Sequence, residues 1–168
     1  HLVHIMHSTM PTPVLYLDLQ PRNLLLCENT IKLIDFDHAV YADEAEHMEE
    51  RYGTIGCAAP EQYSGDVLDG RTDIYAIGAV LHYMLTGHFP GERIRTGQAE
   101  LSGITERHLM CVIRKCLQKE KDKRFQTVAE LEQSLKELWS QSEYGVFRYG
   151  TKRMEKSLVI AVAGSRHG

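Results

Sequence analysis

Three oxygen-bearing side chains, Asp18, Asn23 and Asp35, are spaced so that they could surround one cation. Asp18 and Asn23 lie in a polar loop, and Asp35 follows two short apolar runs, 24–27 and 31–34, which turn-forming residues connect. Two apolar runs joined in this way predict a tight β-hairpin. The hairpin would return Asp35 to the side of Asn23 and Asp18. Because Mg²⁺ prefers oxygen ligands, the sequence predicts a site that holds Mg²⁺ and orients a hydroxyl group.

Helical patterns fill most of the remaining chain and would position this polar loop. The most apolar pattern runs from 72 to 86, with Thr72 as the predicted N-cap and Gly87 at its end. Two amphipathic helices are predicted at 105–117 and 127–139, and the second begins with a capping-box pattern. These elements predict a mainly α fold with one small β-hairpin.

The first ten residues have the pattern of a helix end, which Pro11 and Pro13 would stop. Histidines recur at every third position, His1, His4 and His7, so that they would share one helix face. The pattern fits either a metal-binding face or a polar stripe. We favour the stripe, because no acidic or cysteine residue stands nearby in the sequence to complete a metal site.

Composition excludes several classes of function. The 168 residues, 43% hydrophobic and 25% charged, are typical of one globular domain, and a net charge of −4 gives no electrostatic reason to bind nucleic acid or membrane surfaces. The four cysteines have no metal-ligand spacing, and no apolar run approaches the ~20 residues of a membrane span. We therefore expect a cytoplasmic location without a membrane segment.

The stretch from 16 to 37 resembles the catalytic core of eukaryotic-type protein kinases, in which H-R-D-x-x-x-x-N precedes D-F-G. The corresponding residues are Tyr16-Leu17-Asp18, Asn23 and Asp35-Phe36-Asp37. The resemblance implies that Asp18 accepts or orients the proton of the substrate hydroxyl, and that Asn23 and Asp35 hold Mg²⁺ against the phosphates of ATP. The implied reaction transfers the γ-phosphate of ATP to a Ser or Thr of a protein substrate.

Four residues of these motifs depart from the family pattern, and the first is Tyr16, which stands where the family has His. Gln20 stands where Ser/Thr kinases usually have Lys, and it offers hydrogen bonds to the transferring phosphoryl group but no charge. Leu17 replaces the Arg that pairs with a phosphorylated activation loop in many kinases. Asp37 replaces a Gly, which permits unusual backbone angles. We expect that phosphorylation of the activation loop does not switch this protein on, since no guanidinium would receive the phosphate.

Further matches to the kinase pattern follow downstream. Residues 53–61, G-T-I-G-C-A-A-P-E, resemble the end of the activation segment, where Thr54 would hydrogen-bond near Asp18. The resemblance makes Arg124 the partner of Glu61, because a lone buried carboxylate is costly. The D-I-Y-A-I-G run resembles the central kinase helix, in which Asp73 would bind backbone groups of the catalytic loop.

The resemblance defines the expected domain organisation. Residues 1–140 would form the C-terminal lobe of a Ser/Thr kinase domain of bacterial style, an α+β family, without the N-terminal lobe, because no Gly-rich loop and no V-A-I-K lysine precede the catalytic loop. Residues 141–157 read as a polar linker. Residues 158–168, a strand and a Gly-containing turn, resemble either the start of a P-loop NTPase domain or an unrelated strand. We expect this piece alone to be inactive.

Two other functions stay open. A pseudokinase would keep the fold as a binding or scaffold module, and the substitutions at Gln20, Leu17 and Asp37 favour it. The three retained side chains of the predicted cation site favour the enzyme. A small-molecule kinase of related fold is the weaker alternative, since the A-P-E segment and Arg124 speak against it.

Overall fold

The computed structural model of the chain describes residues 1–28, 30–45, 47–48, 52–90 and 104–141. Helices dominate this part, and its four short strands form two separate two-stranded sheets. The predicted mainly α fold with a small hairpin is thus confirmed. The predicted linker, beyond its first residue, and the strand at 158–168 lie outside the described residues. No helix in the described ranges is long and apolar enough to span a membrane.

The elements are numbered in chain order. The helices are α1 (Leu2–His7), α2 (Ala42–Ala45), α3 (Glu61–Ser64), α4 (Gly70–Thr86), α5 (Ile104–Cys116) and α6 (Val128–Gln141). The strands are β1 (Val14–Leu15), β2 (Leu24–Cys27), β3 (Thr30–Leu33) and β4 (Val40–Tyr41). Two short 3₁₀ turns cover Pro21–Asn23 and Lys121–Lys123.

One strand of each sheet flanks the polar loop in the sequence: β1 precedes the loop and β2 follows it. Strands β2 and β3 form the predicted antiparallel hairpin, with Leu24 opposite Leu33 at its open end. Strands β1 and β4 pair antiparallel, with Leu15 opposite Val40, so the residues that precede the loop are tied to a segment that follows the hairpin. The hairpin therefore returns the chain to the loop, as its sequence pattern indicates.

The start of α4 corrects one prediction. The helix begins at Gly70 rather than Thr72, and its N-cap is Asp69, whose carboxylate accepts a hydrogen bond from the Arg71 amide at 2.8 Å. Thr72 is the third helical residue, and its hydroxyl accepts from the Asp69 amide to complete a capping box. Asp69 caps the helix because its backbone is extended there and its carboxylate reaches the free amides of the first turn. The predicted end is confirmed, with Gly87 left-handed at φ 73°.

Helix α4 is the centre of the lobe, and α5 and α6 both pack against it. Ile74 lies in one buried cluster with residues of α1, α5 and α6, and Leu81 lies in a second with Leu109 and Ile113. Gly78 allows the close approach of α4 and α5, because a Cβ at this position would lie 2.4 Å from the Cβ of Cys116. The packing thus holds α4 in place, and Tyr16 and Leu19 of the polar loop pack against it.

A buried ion pair joins α3 to the turn before α6. Arg124 and Glu61 are only 2% and 3% exposed, and two parallel hydrogen bonds of 2.6 and 2.8 Å join the guanidinium to the carboxylate. The guanidinium also donates to three backbone carbonyls, those of Gln118, Arg71 and Lys119. Every N–H of the guanidinium is therefore used, which offsets the cost of removing its charge from water.

We predict that Arg124→Ala lowers the free energy of unfolding by ~3 kcal/mol or more, because Glu61 would remain as an unpaired buried charge. Denaturant titration of the wild type and the variant measures this loss. Arg114→Ala is the matched control, since Arg114 is exposed on α5, and it should cost less than ~0.5 kcal/mol. A loss of that small size for Arg124→Ala would contradict the interpretation of a stabilising buried pair.

Candidate active site

The carboxylate of Asp73 anchors the catalytic loop, the stretch 16–23. Asp73 is fully buried in the first turn of α4, and its two oxygens accept hydrogen bonds from the amides of Tyr16 and Leu17, each at 2.8 Å. A third bond of 2.8 Å joins Asp73 to the Nε2 atom of His7, at the end of α1. One buried charge therefore connects α1, the loop and α4.

Leu17 has a backbone conformation that needs this anchor. Its φ angle is 62°, in the left-handed region that costs a residue with a side chain ~1–2 kcal/mol. The bond from its amide to Asp73 and the burial of its side chain among Leu15, Ala45 and Leu68 hold it there. The turn at Leu17 sets the direction of the next residue, Asp18.

Three predicted site residues converge on the carboxylate of Asp18. Its Oδ2 atom accepts hydrogen bonds from the side-chain amides of Gln20 and Asn23, both at 2.9 Å. Its Oδ1 atom accepts from the hydroxyl of Thr54 at 2.7 Å, across 36 residues of sequence. An oxygen with one such bond can accept a second, so Oδ1 can also accept a hydroxyl proton.

Asn23 and Asp35 lie at the open end of the hairpin. The buried Asn23 donates through Nδ2 to both Asp18 Oδ2 and the Asp18 carbonyl, and Oδ1 is the acceptor atom of its side chain. The Asn23 carbonyl accepts from the Ile34 amide at 3.1 Å, which brings the following residue, Asp35, beside it. Asp35 is exposed, and within the described residues no hydrogen bond or ion pair uses its carboxylate. These oxygens fit the ligand preference of Mg²⁺.

Tyr16 links the catalytic loop to the turn that carries Asp35. Its side chain is fully buried, its hydroxyl donates to the Ile34 carbonyl, and its ring contacts Phe36 edge to face at 5.4 Å. Burial, reinforced by Asp18 and other nearby carboxylates, raises the pKa of Tyr16 to about 12, so the hydroxyl remains a donor at neutral pH. The sequence comparison showed Tyr16 only as a departure from the usual His.

The backbone of the same turn explains why Asp37 is tolerated where the family has Gly. The left-handed φ angle in this turn, 63°, belongs to Asp35, and Asp37 has no positive φ. A Gly is therefore not required at Asp37 for this conformation.

Gln62 joins the catalytic loop to residues 52–59 and was not among the predicted site residues. Its buried amide donates to the carbonyls of Leu17 and Tyr52, at 2.9 and 2.7 Å, and accepts from the Ala59 amide at 2.9 Å. These bonds hold the segment that carries Thr54 against the loop that carries Asp18. No local pattern marks Gln62, because two of its partners lie 45 and 10 residues away.

An apolar cluster, rather than a charged one, ties the segment after the hairpin to the loop. Leu17 packs with Leu15, Ala45 and Leu68, and Val40 and Met48 lie against them. The Ala42 amide also donates to the Pro13 carbonyl at 2.9 Å, beside the β1–β4 pairing. The site that a phosphate-binding Arg would occupy is thus filled by aliphatic side chains.

Cys57, which stands where kinases usually have an aromatic residue, is poorly placed for nucleophilic chemistry. It is buried, and burial together with the charge of Asp18 raises the pKa of its thiol to about 11. The reactive form of cysteine is the thiolate, which is scarce at neutral pH in such a setting. The described geometry therefore supports chemistry at Asp18 rather than at Cys57.

Comparisons with known proteins agree with this geometry. The family model for the protein kinase domain matches residues 2–143. Among curated relatives, the serine/threonine-protein kinase PknB of Mycobacterium tuberculosis is 29% identical over 92% of this chain. The serine/threonine-protein kinase A of a Synechocystis species is 36% identical over 51% of this chain.

The chain spans only a part of these relatives, 28% of the length of PknB and 18% of the length of kinase A. Both are serine/threonine-protein kinases of bacteria, which agrees with the bacterial style that the sequence indicates. With a family match over 142 consecutive positions, 2 to 143, the chain belongs to the protein kinase family.

Proposed function

We propose that the protein to which this chain belongs transfers the γ-phosphate of ATP to a Ser or Thr hydroxyl of a protein substrate. The observation that carries the proposal is the convergence of Gln20, Asn23 and Thr54 on the carboxylate of Asp18. The printed names of the relatives, which are serine/threonine-protein kinases, support the same substrate class.

Asp18 is the proposed catalytic base. Its Oδ2 atom accepts hydrogen bonds from two side-chain amides, and its Oδ1 atom accepts one from the Thr54 hydroxyl at 2.7 Å. A substrate hydroxyl that donates to Oδ1 would be aligned for attack on the phosphorus, and alignment supplies most of the catalysis in phosphoryl transfer. Thr54 would then position both Asp18 and the peptide that enters beside it.

Asn23 and Asp35 are the proposed residues that hold Mg²⁺ and, through it, ATP. Asn23 offers its side-chain oxygen and Asp35 an exposed carboxylate at the same end of the hairpin. A magnesium ion there would neutralise charge on the phosphates. This chain would thus supply a hydroxyl-orienting carboxylate and two oxygen ligands.

Gln20 is the proposed neutral substitute for the usual loop Lys. Its amide donates to Asp18 at 2.9 Å, so it keeps the carboxylate oriented, although it brings no positive charge to the transferring group. A pseudokinase, a binding or scaffold module, is the second candidate function, and this missing charge is the observation that favours it. The orienting contacts of Asp18 favour the enzyme.

We also propose boundaries for the domains of this chain and a cellular location for the protein. Residues 1–140 would be the C-terminal lobe of the kinase domain, which the family match to residue 143 supports. Residues 141–157 would be a linker, and the likeness of 158–168 to the start of a P-loop NTPase domain stays a prediction. A cytoplasmic location is consistent with four free cysteines, since disulfides are rare in that compartment.

We predict that Asp18→Asn lowers phosphotransfer at least ~100-fold in the longer protein, because Asn cannot accept the hydroxyl proton. The assay follows transfer from Mg²⁺-ATP to a generic Ser/Thr protein substrate. Asp43→Asn is the control, since Asp43 is exposed and lies outside the proposed site, and it should keep the wild-type rate.

Three outcomes of this assay have distinct meanings. Loss of activity in Asp18→Asn alone supports the enzyme. Activity retained in Asp18→Asn would contradict the role of Asp18. No activity in the wild type, with Mg²⁺-ATP still bound, would establish the pseudokinase instead. The 168-residue chain alone should transfer no phosphate, because its sequence contains no Gly-rich loop.

We also predict that phosphorylation of the segment after the hairpin does not activate the kinase. The exposed Tyr41 and Tyr52, and Thr54, are the candidate sites, and Leu17 offers no guanidinium to a phosphate on any of them. Phosphatase treatment, checked by mass spectrometry, should leave the rate of the longer protein unchanged. A large gain of activity after phosphorylation at one of these residues would contradict the prediction.

A further inference from the structure

A second cluster of ligand-bearing side chains lies between α1 and α6. His1 Nδ1 is 3.5 Å from Glu132 Oε1, and His4 Nδ1 is 2.7 Å from Glu132 Oε2. One ligand atom from each of the three residues lies within 4.8 Å of the others. The sequence alone could not show this cluster, because Glu132 is 128 residues from His4.

The packing of α1 against α6 creates the cluster. His1 and His4 are three residues apart, so they lie on the same helix face, and that face meets the turn of α6 that carries Glu132. His7, the third residue of the stripe, turns to Asp73 instead. Of the three histidines in the stripe, His7 therefore contacts Asp73 under the catalytic loop, whereas His1 and His4 both contact Glu132.

We propose that His1, His4 and Glu132 form a zinc site that ties α1 to α6. Two imidazoles and one carboxylate are a ligand set that zinc takes in proteins, with water in the fourth position. Bonds of ~2.1 Å in a tetrahedral site place ligand atoms ~3.4 Å apart, close to the distance that already separates His1 and Glu132. The ion would replace the proton in the His4–Glu132 hydrogen bond and lengthen that contact slightly.

Two neighbouring positive charges oppose the metal, the Lys136 ammonium and the α-ammonium at His1, which also interacts with the Glu132 carboxylate. The Lys136 ammonium lies 2.7 Å from Glu132 Oε1, so it competes for the same carboxylate and repels a cation. Lys136 is half-exposed and one helical turn from Glu132, and its side chain can move into solvent when the ion binds. Removal of this ammonium should therefore strengthen zinc binding, whereas an exposed lysine elsewhere should have no such effect.

The site would act on the catalytic loop through α1. Zinc between α1 and α6 would hold the helix whose last residue, His7, donates a hydrogen bond to the Asp73 carboxylate. Any ligand that binds the folded state alone raises its stability by mass action. Zinc should therefore raise the melting temperature of the lobe, and it should do so only while both His4 and Glu132 are present.

The test uses the untagged 168-residue chain with Zn²⁺ in calorimetry and Co²⁺ as a visible-absorption probe of tetrahedral coordination. We expect one ion per chain. His4→Ala and Glu132→Gln should each weaken binding at least ~10-fold and abolish the shift in melting temperature. Lys136→Ala should bind more tightly, and His108→Ala, which removes an exposed histidine of α5, should match the wild type.

The proposal is overturned by any of three results. One is no saturable binding of Zn²⁺ by the folded wild type, which circular dichroism verifies. Another is equal binding by the wild type, His4→Ala and Glu132→Gln, which would assign the ion to other histidines. The third is a loss of binding in His108→Ala equal to that in His4→Ala.

Discussion

The buried carboxylate of Asp73 is the interaction on which the rest of the site depends. It receives the amides of Tyr16 and Leu17 and contacts His7, so it holds the loop in a turn where Leu17 has a left-handed φ of 62°. A buried charge is stable only when donors surround it, and here the donors come from the loop that it shapes. The direction of Asp18, and with it the convergence of three side chains on its carboxylate, follows from this anchor. Asp73 would therefore support the proposed chemistry indirectly, through the shape of the loop that carries Asp18.

A second buried charge pair and an apolar cluster complete the support. Glu61 and Arg124 lock the segment that carries Thr54 to the turn before α6, and the cluster around Leu17 holds the other end of that segment. The ion pair and the aliphatic cluster lie at opposite ends of the segment that brings Thr54 to Asp18. Under the proposed function, the difference from common kinases lies in charge, at Gln20.

Local patterns in the sequence predicted the hairpin, the helices α4 to α6 and the grouping of Asp18, Asn23 and Asp35, because each depends on neighbours in the chain. The kinase resemblance added Thr54, Asp73 and the Glu61–Arg124 pair, which no local pattern could supply. Contacts that depend on tertiary packing were missed: His7 with Asp73 across 66 residues, Gln62 with Leu17 across 45, and Glu132 with His4. The cap of α4 was placed at Thr72 instead of Asp69, because both residues suit a cap and only the extended backbone at Asp69 decides between them.

Amide hydrogen exchange in an Asp73→Asn variant tests the central claim most directly. Asn keeps the shape of Asp but removes the charge and replaces one acceptor oxygen with a donor, so at least one of the Tyr16 and Leu17 amides loses its partner. We predict that protection at these two amides falls sharply while amides in the middle of α4 keep theirs. Unchanged protection at Tyr16 and Leu17, in a variant with α4 intact, would show that the loop is held by something other than this carboxylate.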